Sequence, residues 1–261
     1  MFRPEETHEF WRRQSVDHMI GTLVAMQRES SDMLRERLDA EIFSARRGVA
    51  SVLIRGRGVE VGAGSRPWPL PASASCLYGD VRDAAGLEAY FGNCVGPCEF
   101  VDAQTFDVVA PASLDFIVHA HVIEHLFDPF GSIREALARL KPGGILLMAV
   151  PDMRHTFDKW RAPTMFDHLL ADMKDGGAGT KLAAYLEHIR DVHPHLAEPI
   201  PDDQHEAEAR RIMAAGFDVH VHAWTMETLQ EHIARLAPEF GFTVEACLFV
   251  VNETIVALRK R

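Results

Sequence analysis

Histidines and carboxylates gather in two stretches of this chain where their spacing could do proton chemistry. The first is "HAHVIEHLFDP", in which His121, Glu124 and His125 follow an apolar run. The second is "PDMRHTFDKWRAPTMFDH", in which Asp158, Arg161, Thr164 and His168 recur at intervals of three and four. Imidazole titrates nearest neutrality, so His121 and His168 are candidate general bases, with Asp158 to orient or charge-stabilise the base. On a helix the second set would lie along one face, either a solvated charged face or, placed over a binding pocket, one from which Arg161 and Thr164 contact a substrate. Nine of the fourteen histidines lie beyond Pro151, including His188, His193, His195, His205, His220 and His222. Three of them could build a metal site that orients a diol, but they form no paired i, i+4 set with a carboxylate, and no metal is assigned. His220 and His222, alternating with Val219 and Val221, read as one face of a strand.

A third stretch, "VEVGAGSRPWPLP" from Val59 to Pro71, begins as a nucleotide-binding turn does. A dinucleotide site needs a further glycine and a helix N-terminus, because free backbone N–H groups and the helix dipole hold the pyrophosphate. Pro67, Pro69 and Pro71 forbid that helix. The glycines therefore suit a ligand that needs close backbone approach but carries no phosphate.

The elements that must position these groups follow from hydrophobic periodicity. Val16, Met19, Ile20, Leu23 and Val24 recur at helical spacing, and Leu34, Leu38 and Ile42 do so after the "SSD" at Ser30 to Asp32, which predicts two helices within residues 1–50. From Arg57 onward short apolar runs alternate with helical segments, the pattern of a parallel sheet with crossover helices. Strands are predicted at Gly58 to Val61, Ser75 to Tyr78, Phe116 to His119 and Ile145 to Val150. A helix over "FGSIREALARLKPGG" should stop at Lys141-Pro142-Gly143-Gly144. Some seventy residues rich in His, Pro and charge then precede a helix at Met226 to Leu236, and "FTVEACLFV" and "ETIVALRK" close the chain as an antiparallel hairpin across Val251-Asn252.

In order and spacing these landmarks resemble the class I S-adenosylmethionine-dependent methyltransferases, over roughly residues 57–152 and 223–261. Glu60-Val61-Gly62-Ala63-Gly64 is similar to the family's acidic-x-Gly-x-Gly motif. Asp80 in "LYGDV" resembles the acidic residue that holds the ribose hydroxyls. Asp102 and Ala103 in "FVDAQTF" take the place that meets adenine, and "DFIVHAHVIEHLFDP" resembles the fourth strand and its exit, with His121 beside the cofactor. The resemblance implies S-adenosyl-L-methionine as cofactor and a Rossmann-like, doubly wound α/β sheet of seven strands whose last strand is antiparallel. The family's helix after the glycines is missing, and Arg66, at the point where it would start, is expected to hold the methionine carboxylate instead.

The expected organisation is an N-terminal helical segment, 1–50, and a methyltransferase domain, 51–261, in which 152–222 is a helical cap insertion; helices and insertion together would cover the acceptor pocket. With a net charge of -11 and a terminal basic run, Arg259-Lys260-Arg261, too short to offset it, the chain is not expected to bind nucleic acid or an anionic membrane. The four cysteines, Cys76, Cys94, Cys98 and Cys247, show no ligand framework. No targeting or spanning segment is read, so a cytoplasmic location is expected. The reading is methyl transfer to a small-molecule or sugar-containing acceptor, at oxygen before nitrogen. A nicotinamide-dependent oxidoreductase and a catalytically inactive cofactor-binding protein are the alternatives, and no oligomeric state is assigned.

Overall fold

The computed structural model describes residues 4–92 and 98–261, with side chains described for residue 28 and from residue 30 onward. Cys94 and the apolar stripe from Val16 to Val24 lie outside what is described. The chain forms two compact units, Met1–Ser44 and Ala45–Arg261. One continuous helix, α1 (Pro4–Leu53), replaces the two helices expected before the sheet. Ser30 to Asp32 run inside it, because Ser and Asp cost a helix interior only roughly 0.5 kcal/mol each and no Gly or Pro lies between residues 22 and 47. Among the described residues no helix is long and apolar enough to cross a membrane.

The second unit is built on seven strands: β1 (Gly56–Val61), β2 (Ala74–Asp80), β3 (Glu99–Phe100), β4 (Leu114–Ala120), β5 (Leu140–Pro151), β6 (Phe242–Val250) and β7 (Glu253–Lys260). Their order is β3-β2-β1-β4-β5-β7-β6, and β7 runs antiparallel to both its neighbours. The most apolar runs, in β4 and β5, take the centre, where both faces of the sheet are covered. In register, Val61 lies beside His119 and His119 beside Met148, so β1 and β4 end within a residue of each other while β5 runs on to Pro151. The strand order reverses between β1 and β4, and the crevice beyond their carboxyl ends is where such sheets take ligands.

The helices are α2 (Ala84–Phe91), α3 (Pro129–Arg139), α4 (Phe166–Asp175), α5 (Lys181–Glu187), α6 (His205–Ala214) and α7 (Met226–Phe240). Asp128 caps α3 by accepting from Gly131 N at 2.6 Å, with Pro129 at the first helical position. Thr225 and Thr228 form a capping box on α7, and Gly241 ends it in the left-handed region. Ile117, Leu146 and Met148 face a core filled by Phe130, Phe166 and Ile233 from α3, α4 and α7. On the opposite face Phe116, Val118 and Leu147 pack with Ala50, Ile54 and Trp68. No helix links β1 to β2, as the prolines require; the end of α1 and the Trp68 indole fill the space it would take.

The stretch expected to form one cap divides. Its α4 joins the main core through Phe166 and Leu169, whereas α5 and α6 close over a small cluster of their own with Val219 and Val221. The strand expected at His220 and His222 does not form, because the amides of Val221 and His222 donate to the Glu124 carbonyl, at 2.7 and 3.1 Å, instead of entering a ladder.

His119 stands in β4, 1% exposed and stacked on Phe106 at 5.5 Å. It reads from sequence as a satisfied core histidine, yet neither ring nitrogen has a hydrogen-bond partner among the described residues. Burial alone pushes its pKa down to about 4. Above the ordinary histidine pKa the ring is neutral folded and unfolded. As pH falls from about 6.5 to 4 only the unfolded chain gains this proton, so stability should drop by about 2–3 kcal/mol on this account. Urea unfolding at a series of pH values should show His119→Phe with a shallower acid limb than wild type; parallel limbs would mean that His119 contributes nothing to acid sensitivity.

Candidate active site

The turn after β1 is shaped by two left-handed glycines. Gly62 has φ +75° and donates its N–H to Gly79 O at 2.9 Å, while Gly64 has φ +53°. A Cβ on Gly62 would fall 2.6 Å from Val122 Cγ2, and one on Gly64 2.8 Å from the Phe91 ring. Neither position accepts a side chain. Ala63 O accepts from Arg66 N at 3.0 Å, which closes the turn, and the Arg66 side chain is exposed. Glu60 is buried beneath: both its oxygens accept from Trp68 N, at 2.9 and 3.1 Å. Burial pushes its pKa up to about 7, against the Trp68 hydrogen bond and the charge of Arg46. Glu60 thus ties down the proline-rich segment that stands in for the helix.

Two further carboxylates border the same end of the sheet. Asp80, the last residue of β2, accepts from Arg82 N at 2.8 Å and is 6% exposed. Asp102, just beyond β3, accepts from Gln104 N at 2.7 Å. The Gln104 side chain clasps the backbone of Asp128, donating to its O at 2.7 Å and accepting from its N at 3.1 Å, and Ser132 Oγ donates to Ala103 O at 2.6 Å. The loop bearing Asp102 and Ala103 is therefore fixed to the start of α3.

His121 follows β4 directly, with φ +56°, a left-handed conformation it shares with Phe106, Ala112 and Val251. Its N–H bonds Ala149 O at 2.9 Å, which aims the ring across the sheet end. Nε2 lies 2.9 Å from Glu253 Oε2, and Nδ1 lies 3.6 Å from Glu124 Oε1. The buried Glu253 carboxylate also receives both Nε and Nη2 of Arg46, at 2.9 and 2.5 Å. Burial works against its charge, yet His121 and Arg46 hold its pKa below the ordinary glutamate value.

Asp158 pairs with neither candidate base: its Oδ2 lies 2.5 Å from His220 Nδ1 and its Oδ1 accepts from Arg161 at 3.0 Å. Burial opposes its ionisation, but His220 and Arg161 outweigh it and lower the pKa. The single helical face expected for Asp158, Arg161, Thr164 and His168 does not form. Asp158 lies in a short 3-10 turn, Phe157–Trp160, and His168 in α4, because Pro163 between them cannot continue a helix and pushes Ala162 out of the α region. Arg161 is held among Asp158, Glu187 at 2.6 Å and the carbonyls of His220 and Val221 at 2.8 and 2.9 Å. Thr164 pairs with Ala223 through both its N–H and its hydroxyl. His168 Nε2 sits 3.2 Å from Asp172 Oδ2, in a separate group with His222. Asp218, which the sequence does not single out, joins the group beside His121. His125 Nδ1 meets Asp218 at 2.9 Å, and the His125 and His220 rings stand 4.7 Å apart. Burial alone would keep His125 neutral, but the Asp218 hydrogen bond and the charges of Glu124 and Asp218 push it up to about 9.

A parallel sheet with an antiparallel seventh strand, a double-glycine turn and acidic residues at the ends of β2 and β3 define an S-adenosylmethionine-dependent methyltransferase. The family model described as "Methyltransferase domain" matches residues 32–246, and the chain belongs to that family. Among solved structures it is similar to an S-adenosylmethionine-dependent methyltransferase from Thermotoga maritima, at 15% identity over 87% of this chain and 94% of that one, TM-score 0.48. A second, from Aquifex aeolicus, is 11% identical over 80% and 85% of the two chains, TM-score 0.43. The CurJ carbon methyltransferase is 15% identical over 78% of this chain, TM-score 0.41, and this chain spans 48% of its length. No curated protein matches.

S-adenosylmethionine is the cofactor. The cradle fits it, since the space a Cβ would take at Gly62 and Gly64 is closed to side chains, which keeps a bare backbone turn beside the two carboxylates. If Asp80 holds the ribose, Asp80→Ala should weaken cofactor binding by about 1.5–3 kcal/mol through loss of a charged acceptor. Calorimetric affinity equal to wild type would assign the ribose to another residue.

Proposed function

We propose that this methyltransferase acts on a hydroxyl of a small-molecule or sugar-containing acceptor, with His121 as general base. The observation that carries the reading is the His121–Glu253 pair, because an imidazole held by a buried carboxylate at the exit of β4 is equipped to take a proton. A net charge of -11 disfavours nucleic acid as acceptor. Backbone at Gly62, Ala63 and Gly64 admits the cofactor closely, with Glu60 acting on it through Trp68. Asp80 takes the ribose hydroxyls, Asp102 and Ala103 the adenine, and Arg66 the methionine carboxylate.

The bound cofactor supplies a methyl group on a positively charged sulfur. The protein's part is alignment and proton removal. Bound in that cradle, S-adenosylmethionine would supply the methyl group, and His121 would take the proton of the acceptor hydroxyl as the oxygen is methylated. The charge so formed is stabilised by Glu253 and by Glu124, 3.6 Å away. Arg161 and Thr164 serve the acceptor side by fixing the segment that carries His220.

Labelled S-adenosylmethionine offered with matched panels of small hydroxyl and amine acceptors tests this reading. Methyl ethers are expected from hydroxyl acceptors. Products from amines alone would overturn it, and cofactor binding without any turnover would favour the inactive binder.

A further inference from the structure

We propose that Glu124, His125 and His220 bind one divalent first-row cation such as Zn2+; its role beside the acceptor rests on the hydroxyl reading, its existence does not. One ligand atom from each of the three lies within 4.8 Å of the others. His125 Nε2 is 3.8 Å from Glu124 Oε1. Two ligands on a tetrahedral zinc at ordinary bond lengths stand about 3.4 Å apart, so a small side-chain movement completes the set.

Two features of the structure point to a ligand there, and a third assembles the set. Glu124 is 0% exposed, and neither carboxylate oxygen has a hydrogen-bond partner among the described residues. The imidazole nitrogens that face it, His121 Nδ1 at 3.6 Å and His125 Nε2 at 3.8 Å, stand beyond hydrogen-bond distance, so its lone pairs stay open to a cation. Both histidines are held by their other nitrogen: His125 Nδ1 by Asp218 at 2.9 Å and by Val219 O at 3.0 Å, His220 Nδ1 by Asp158 at 2.5 Å. Carboxylates behind imidazoles in this way fix the tautomer and the ring direction of metal-binding histidines, leaving Nε2 as the donor. Finally, the backbone bonds from Val221 and His222 to the Glu124 carbonyl bring His220 to the other two ligands across the length of the insertion.

Two imidazoles and one carboxylate suit zinc and its neighbours, and three protein ligands leave a position open for the acceptor hydroxyl. There the cation would lower the hydroxyl pKa while His121, 3.6 Å from the same Glu124 oxygen, receives the proton.

The test is titration of the chelator-stripped full chain with Co2+, without methyl donor or acceptor. One equivalent should bind with visible d–d absorption, and Zn2+ should displace it. Glu124→Gln and His220→Asn should each weaken binding by more than about a hundredfold, whereas His168→Ala, in the separate group with Asp172 and His222, should leave it unchanged. Circular dichroism checks that the variants fold. Should either unfold, X-ray absorption at the cobalt edge of the wild-type complex decides, with two imidazoles expected. Absent binding, binding that survives both ligand substitutions, binding that depends on His168, or fewer than two imidazoles would each overturn the site and leave Glu124 facing only His121 and His125. Because neither substrate is present, a failure to methylate hydroxyls leaves this result standing, and failure of the metal site leaves the acceptor reading untouched.

Discussion

Replacing His121 with alanine is expected to lower the single-turnover rate on a hydroxyl acceptor by about two to four powers of ten, the usual worth of a positioned base. Cofactor affinity should change little, since the residues proposed for the ribose and adenine, Asp80 and Asp102, lie at the end of β2 and in the loop after β3. Added imidazole should restore part of the rate in the alanine variant, because the gap it leaves beside Glu253 admits a free ring. Glu253→Gln should cost less than His121→Ala: it retains a hydrogen-bonding group for the imidazole but loses the charge that stabilises the protonated ring. Arg46 then loses its buried partner, so stability must be measured alongside the rate. A His121→Ala enzyme with full activity on a hydroxyl acceptor would remove His121 from the mechanism. His168, 40% exposed beside Asp172, would be the next base to test.

How much of this arrangement is legible in sequence depends on how local its cause is. The strand at Phe116 to His119, the glycine turn, the missing helix and the terminal hairpin each follow from a few adjacent residues: an unbroken apolar run, two glycines, three prolines, two β-rich segments with a two-residue link. The broken helix between Asp158 and His168 had a local sign as well, Pro163, which outweighs the three-and-four spacing. The pairings that aim the histidines had none. Glu253 reaches His121 across 132 residues and Arg46 across 207, and nothing in either segment marks the partner. The partner of Asp158 is hidden for the same reason, since only the folded insertion brings His220 to it across 62 residues. Glu60 was legible as part of a motif, but its hold on Trp68 shows only once the proline segment is folded back under the sheet.

The same distinction decides what Arg161 does. From sequence it is a substrate contact; in the fold its side chain is 2% exposed, ion-paired with Asp158 and Glu187 and bonded to two carbonyls near the end of the insertion. Removing one partner of a buried pair leaves the other charged and unsolvated, so Arg161→Ala should lower the unfolding free energy by about 3–5 kcal/mol. Glu187 is partly exposed and water can reach it, which places the expectation toward the lower end of that range. The loss should be concentrated in the insertion, because Arg161 ties the 3-10 turn to α5 and to the segment carrying Val219 and Val221, whose small cluster lacks the support of the sheet. Hydrogen exchange resolved by segment should show faster exchange at residues 181–221 and little change in β4 and β5. A contact to the acceptor predicts the opposite pattern, with near wild-type stability, unchanged exchange and a raised KM. If urea unfolding of Arg161→Ala costs less than about 1 kcal/mol while KM rises, the guanidinium leaves these partners for the acceptor, and the sequence expectation holds over the geometry.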